Sequence, residues 1–428
     1  MNRQLFTDPY TGDRCKKIDH PSGLPILLYP KEGYTSSYAV FATRYGSIDN
    51  RFLMGDEMVD VPAGIAHYLE HKLFESEEGD AFERYAATGA SANAYTSFDR
   101  TAYLFSATGD IRPSLEILLD FVQNPYFTPE TVQKEQGIIG QEIHMGQDSP
   151  GRRVFLNLLS ALYTEHPVRI DIAGTVDSIA KITPELLYGC YDSFYNLHNM
   201  VLVVAGNATE EQVLEVADRL LKPAKEWAVE RPVYPEPATV TDHRIVQEMP
   251  VAAPVFYLGF KYPMAGNACP TATQEMAADV LLELIAGRAS DLYTRLMDEG
   301  LINRSFGGEF FSGPGYAAFL FGGESRDPDK VTEEIKKEID RLRREGIDPA
   351  AFAAARNAQY GTMVSDLNNV EDAGDLLIDE YFSGMPPFAL IEAAATLQIS
   401  DVEDLLNTGF NPDGSVLSVI TPMQKEEE

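Results

Sequence analysis

PAGIAHYLEHKLFE, residues 62–75, places Ile65, Leu69 and Leu73 at four-residue intervals, the spacing of a helix with one apolar face. On such a helix His67 and His71 stand one above the other at i and i+4, with Glu70 beside them. Two imidazoles at that spacing can both reach one tetrahedral ion about 2 Å away. A nitrogen and carboxylate donor set without thiolates suits zinc, although cobalt and manganese compete for the same ligands. The chain has only seven histidines, so an H-x-x-E-H pattern seldom arises from composition alone. The plain alternative is a pair of surface histidines ion-paired to a glutamate.

A catalytic zinc has three protein ligands and one open position, so a further donor is expected on an element packed against the first helix. TPETVQKEQGIIGQEIHMGQD, residues 128–148, predicts that element, with Thr128 as N-cap and Pro129 in the first turn. Glu135 and Glu142 lie seven residues apart, nearly two turns, and share a face, while Ile138, Ile139 and Ile143 supply the apolar side. One carboxylate would bind the metal and the other would accept a hydrogen bond from a ligand histidine. Without the histidine motif, two such glutamates would be read as solvated. His144, two residues past Glu142, points to roughly the opposite side and is expected in a solvent or packing role.

Outward from these helices the chain reads as two similar halves. The proline-dense stretch RPVYPEPA, residues 231–238, lies in a linker expected at 229–240, which separates a metal-bearing domain at 1–228 from a second at 241–428. Each half opens on β-rich segments, LPILLYP from Leu24 and SYAVFATRYGS from Ser37, then HRIVQEM from His243 and PVFYLGFKYP from Pro254. A later strand follows in each, TAYLFSAT from Thr101 and YAAFLFGGES from Tyr316. Next comes a helix with proline just inside its start, at Pro129 and Pro349. This order predicts α+β domains, each an antiparallel sheet with helices on one face. Repetition at roughly 200 residues is a duplication rather than a solenoid.

The formal net charge of −32 argues against binding nucleic acid or an anionic membrane surface. Cys15, Cys190 and Cys269 are few, odd in number and far apart, which fits a reducing compartment. The opening residues lack an apolar signal-peptide core and no apolar run is long enough to span a bilayer, so a cytoplasmic protein is expected.

The H-x-x-E-H of residues 67–71, followed by Glu142 with Glu135 seven positions before it, resembles the insulinase/pitrilysin (M16) family of zinc peptidases. The likeness is to its short two-domain branch with the mitochondrial processing peptidases and the YmfH-like bacterial members. It extends to YGSID from Tyr45, GASANAYTS from Gly89, TAYLFSAT from Thr101, HPVRIDIAGT from His166 and NMVLVVAGN from Asn199. The resemblance implies two duplicated insulinase-like domains. It makes His67, His71 and Glu142 the zinc ligands, Glu70 the general base and Glu135 the partner that supports a ligand. It implies that Ser91–Thr96 is an edge strand to which substrate adds as a further strand, with Asn93 and Ala94 in contact with it. The expected activity is endopeptidase cleavage of peptides or small unfolded polypeptides in a cleft enclosed by the two halves.

The resemblance is broken in the second half. Counted from Pro349 as from Pro129, Ala355 and Thr362 stand where Glu135 and Glu142 would be, so one metal per chain is expected. Many family members carry there an arginine and a tyrosine that stabilise the oxyanion. In SDLYTRLMDEGLINRS, residues 290–305, Met297 and Asn303 occupy those places. Losing one oxyanion donor costs ~10²–10³ in rate. Arg295, Arg304 or Tyr316 could substitute, or the chain could be weakly active. The favoured expectation is a paralogous zinc-less subunit completing the site in a heterodimer, with a homodimer also open. The rival class is a non-hydrolytic assembly or maturation subunit.

Overall fold

Central strands of this chain read as unbroken apolar runs because both of their faces are covered. In Ser36–Thr43 every residue from Ser37 onward is buried. Ala39 and Phe41 join the core that holds Ile65, Leu69 and Leu73 of the motif helix. Tyr38 alternates to the other face, where its hydroxyl donates to Asp375 at 2.9 Å. The computed structural model describes residues 1–423 apart from 55, 78, 227 and 228, so the last residue of the expected first domain lies outside the described residues.

The chain forms two compact units. The first comprises Met1–Ile143, Asp171–Pro232 and Val364–Ala389; the second comprises His144–Ile170, Val233–Met363 and the residues from Leu390 onward. The first unit is built on a seven-stranded sheet in the order Asn2–Thr7, Arg14–Asp19, Pro25–Pro30, Met200–Gly206, Ser36–Thr43, Thr101–Thr108, Ser91–Thr96. Five strands make the sheet of the second, in the order Arg244–Met249, Ser415–Pro422, Val255–Tyr262, Tyr316–Glu324, Gly307–Gly313. Without the N-terminal hairpin of Asn2–Thr7 and Arg14–Asp19, the two orders are the same. The duplication is therefore a duplication of topology. Both sheets are antiparallel except at one position, where the last strand of each half inserts parallel to the first: Met200–Gly206 beside Pro25–Pro30, and Ser415–Pro422 beside Arg244–Met249.

The main helical layer covers one face of each sheet, and a single helix from elsewhere in the chain lies on the opposite face. In the second unit that helix is Pro150–Leu162, which buries Val154, Leu158, Leu159 and Leu162 and sets Phe155 against Tyr257 and Phe311. In the first unit it is Val370–Phe382, a segment of the second half of the sequence. Gly374 lets this helix approach closely, since a Cβ there would lie 2.5 Å from the Tyr38 ring. Arg100 anchors it further by an ion pair to Asp379 at 2.5 Å. The compact units are thus a different partition from the contiguous division at 229–240, which we retain as a proposal about the two homologous halves.

The motif helix, Ile65–Leu73, begins at a fixed point. Gly64 has φ +92°, and a Cβ on it would lie 2.4 Å from the carbonyl oxygen of Ala173. Only glycine fits both the left-handed backbone and that contact. Ser178 donates to the carbonyl of Ala63 at 2.7 Å, so the segment after Asp171 grips the residues that launch the helix. Burial of Ile65, Leu69 and Leu73, each worth about 1.5–3 kcal/mol, then fixes the rotation about the helix axis.

Candidate metal centre

Amphipathic rotation decides which side chains the motif helix turns toward the helix Pro129–Gln147. With its leucines in the core, His67 and His71 come to one side, their rings 4.6 Å apart between centroids. The second helix starts as its sequence predicts, with Thr131 N–H donating to Thr128 Oγ1 at 3.2 Å. Val132, Ile139 and Ile143 are its buried face. Ile138, expected among them, is instead 50% exposed, because a residue one position before Ile139 has turned about 100° toward solvent. Tyr68, buried between the histidines in sequence, donates its hydroxyl to the carbonyl of Val132 and ties the two helices together.

Glu142 faces both imidazoles. Its Oε1 is 3.6 Å from His67 Nε2 and its Oε2 is 3.7 Å from His71 Nε2. These separations are too long for good hydrogen bonds. They are close to the ~3.4 Å expected between two donors that each sit about 2 Å from a tetrahedral ion. One donor atom from each of His67, His71 and Glu142 lies within 4.8 Å of the others, and this is the one such grouping found among the described residues. Glu135 approaches His71 from behind, with 2.9 Å between Oε1 and Nδ1. That contact puts a proton on Nδ1 and leaves the Nε2 lone pair aimed at Glu142. Two imidazoles among three carboxyl groups make a donor set that fits a divalent cation.

Glu70 is only 8% exposed. Burial raises its pKa above the ordinary 4.5, and the charge of Glu142 adds to the rise, while His71 and a hydrogen bond from Thr96 oppose it. That bond runs from Thr96 Oγ1 to Glu70 Oε2 at 2.9 Å. For His71, burial works against a positive charge, but the Glu135 hydrogen bond and the charges of Glu70, Glu135 and Glu142 hold its pKa above 6.5.

Ser91–Thr96 is the last strand in its sheet, paired to Thr101–Thr108 on one side only. Ala92 and Ala94 pack inward against the core, and Asn93 is exposed on the other face, where its Oδ1 accepts from Ala94 N–H at 2.9 Å. Thr96 lies on the inward face of this strand, where its hydroxyl reaches Glu70. The signal for this was available in the sequence, since period-two alternation puts Thr96 on the inward face with Ala94.

His144 is exposed, 3.4 Å from Gln147, as expected. In the second unit, Asn303 donates to Glu324 at 2.6 Å and its Oδ1 accepts from Ser305 N–H at 2.8 Å, while Met297 packs on the core. Arg295 pairs with Glu334 at 3.1 Å and Tyr316 is buried among aromatic rings. Ala355 is buried in that core, where Glu135 has its counterpart place.

Replacing Glu135 by Gln is expected to weaken metal binding about 10–100-fold with the fold intact. Competition against a fluorescent chelator measures it, and an unchanged affinity would remove Glu135 from any supporting part.

Residues 59–176 match the family described as "Insulinase (Peptidase family M16)", and residues 181–359 match "Peptidase M16 inactive domain". The uncharacterized zinc protease YmfH of Bacillus subtilis is 38% identical over 407 residues, covering 94% of this chain and 95% of its own. An M16-like peptidase from Alicyclobacillus acidocaldarius, solved by crystallography, is similar with a TM-score of 0.92 and 38% identity, covering 98% of this chain and 100% of that one. A protease structure from Helicobacter pylori shares the fold at 22% identity, with a TM-score of 0.84 over 96% of this chain and 100% of that one.

Proposed function

The chain belongs to the M16, or insulinase, family of peptidases, and from that premise we propose that it is a zinc-dependent endopeptidase acting on peptides or small unfolded polypeptides. The observation that carries the reading is the convergence of His67, His71 and Glu142 from two helices distant in sequence, with buried Glu70 beside them. His67, His71 and Glu142 would hold the ion through two imidazole nitrogens and a carboxylate. When bound, zinc supplies Lewis acidity, which acidifies water and polarises a carbonyl.

The protein's own groups do the rest. Glu70 takes the proton of the attacking water at Oε1, since Oε2 is engaged by Thr96, and delivers it to the leaving nitrogen. Its raised pKa brings it nearer the working pH, where a base that must later act as an acid performs best. Glu135 keeps the proton of His71 on Nδ1. Substrate pairs by its backbone with the free edge of Ser91–Thr96, beside Asn93 and Ala94, which accounts for affinity with little sequence preference.

We propose further that the working form pairs this chain with a paralogous subunit. Supporting this is the place of Asn303, whose amide is committed to Glu324 and Ser305 rather than offered as an oxyanion donor. The three cysteines are free thiols, in keeping with the cytoplasm as its compartment. Among the described residues no helix is long and apolar enough to cross a membrane.

The test is cleavage of a mixed-sequence unfolded peptide by purified chain of measured zinc content. Chelation should abolish cleavage and added zinc restore it. Bound zinc without turnover, even with a paralogue present, would favour the scaffold reading. Full family-like rates from the chain alone would end the heterodimer proposal.

Acid should strip the metal early. A proton on His71 must leave before Nε2 can hold zinc, and that pKa is raised. Affinity should be full above the raised value and fall about tenfold per pH unit below it, with the fall beginning above pH 6.5. Chelator competition across pH reads this directly. A break below pH 6.5 would contradict it.

A further inference from the structure

A carboxylate that moves a proton works best when one oxygen is held and the other is free. In Glu70 the held oxygen is Oε2, which accepts from the Thr96 hydroxyl at 2.9 Å. Thr96 ends the edge strand and stands opposite Thr101 in the ladder. The two hydroxyl oxygens are 3.4 Å apart, but Thr101 gives its one proton to the carbonyl of Tyr45 at 2.8 Å. Thr101 is 0% exposed, so no water competes for that proton. The polarity is fixed on both sides: Thr101 toward Tyr45, Thr96 toward Glu70.

We infer that Thr96 is a positioning residue for the base, fixing Glu70 Oε2 so that Oε1 alone receives the proton of the attacking water. The inference rests on the peptidase reading above. It also joins two tasks in one element. The strand whose outer edge would receive substrate carries, on its inner face, the hydroxyl that sets the base.

Two substitutions separate the hydroxyl from its shape. Thr96→Val keeps the shape and loses the hydroxyl, and Thr96→Ser keeps the hydroxyl and loses a methyl. A denaturation cycle on the metal-free chain with Glu70→Ala needs neither zinc nor turnover. Thr96→Val should change the unfolding constant about tenfold when Glu70 is present and by less than about twofold when residue 70 is alanine. With zinc loaded and a mixed-sequence quenched peptide as probe, Thr96→Val should lower kcat about tenfold or more with KM and zinc content unchanged. Thr96→Ser should stay within about threefold of the unsubstituted chain. An additive cycle, an unchanged kcat, or a serine variant as slow as valine would overturn the inference. Wild-type turnover by Glu70→Gln would instead overturn the peptidase mechanism, and the cycle would still report on the hydrogen bond.

Discussion

Glu70→Gln is expected to bind as much zinc as the unsubstituted protein and to cleave peptide about a thousandfold more slowly. The amide has the shape of the carboxylate and can still accept from Thr96, so the buried packing around residue 70 is preserved. It cannot take up a proton. Because Glu70 neighbours His71 without being one of the three grouped donors, metal content and activity should separate cleanly. Metal analysis of the variant beside its turnover number decides the matter. Activity within tenfold of the unsubstituted chain would take Glu70 out of the chemistry.

His71→Ala should do the opposite and lose both together. It removes one of three donors and leaves the Glu135 carboxylate without the ring it orients. Spread over four ligands, the roughly 10–16 kcal/mol of a protein zinc site is about 2.5–4 kcal/mol each, or on the order of a hundredfold to a thousandfold in affinity per ligand. Zinc should then fall well below one per chain after dialysis, and hydrolysis should be undetectable. His71 is 26% exposed in its side chain and is not one of the core residues, so the variant should melt near the metal-free unsubstituted chain. A variant that retains stoichiometric zinc would mean that the cluster does not bind metal as its geometry implies.

Much of this site was legible from spacing. His67 and His71 are one helical turn apart, and Glu135 and Glu142 are nearly two, so each pair shares a face wherever its helix lies. That the two faces meet was a claim about tertiary packing, which spacing cannot make. It depends on Gly64 seated against Ala173 and on Tyr68 reaching the Val132 carbonyl, contacts between residues far apart in the chain. Ile138 was placed on the wrong side for a related reason: three isoleucines in six positions read as one stripe, while only two fall within the arc that the neighbouring helix covers. Thr96 was overlooked because a threonine in a strand is ordinarily a propensity choice, and its acceptor lies 26 residues away.

The exchanged helices were the least readable part. Pro150–Leu162 and Val370–Phe382 announce themselves as helices by periodicity and by the caps Ser149 and Asn369. Nothing local says which sheet each will cover. The parallel insertion of Met200–Gly206 beside Pro25–Pro30 is similarly hidden, since an apolar run buried on both faces does not encode the direction of its neighbours.

Val370–Phe382 also sets a timetable for biogenesis. The helix that closes one face of the first sheet is not complete until residue 382 of 428 has been translated. Until then Tyr38 and its neighbours on that face have no cover, although both helices that carry the candidate ligands have long since left the ribosome. The nascent N-terminal portion can bring its candidate ligands together early but must wait for residue 382 before its sheet is sealed. Premature termination anywhere before that helix would strand a half-dressed, aggregation-prone domain.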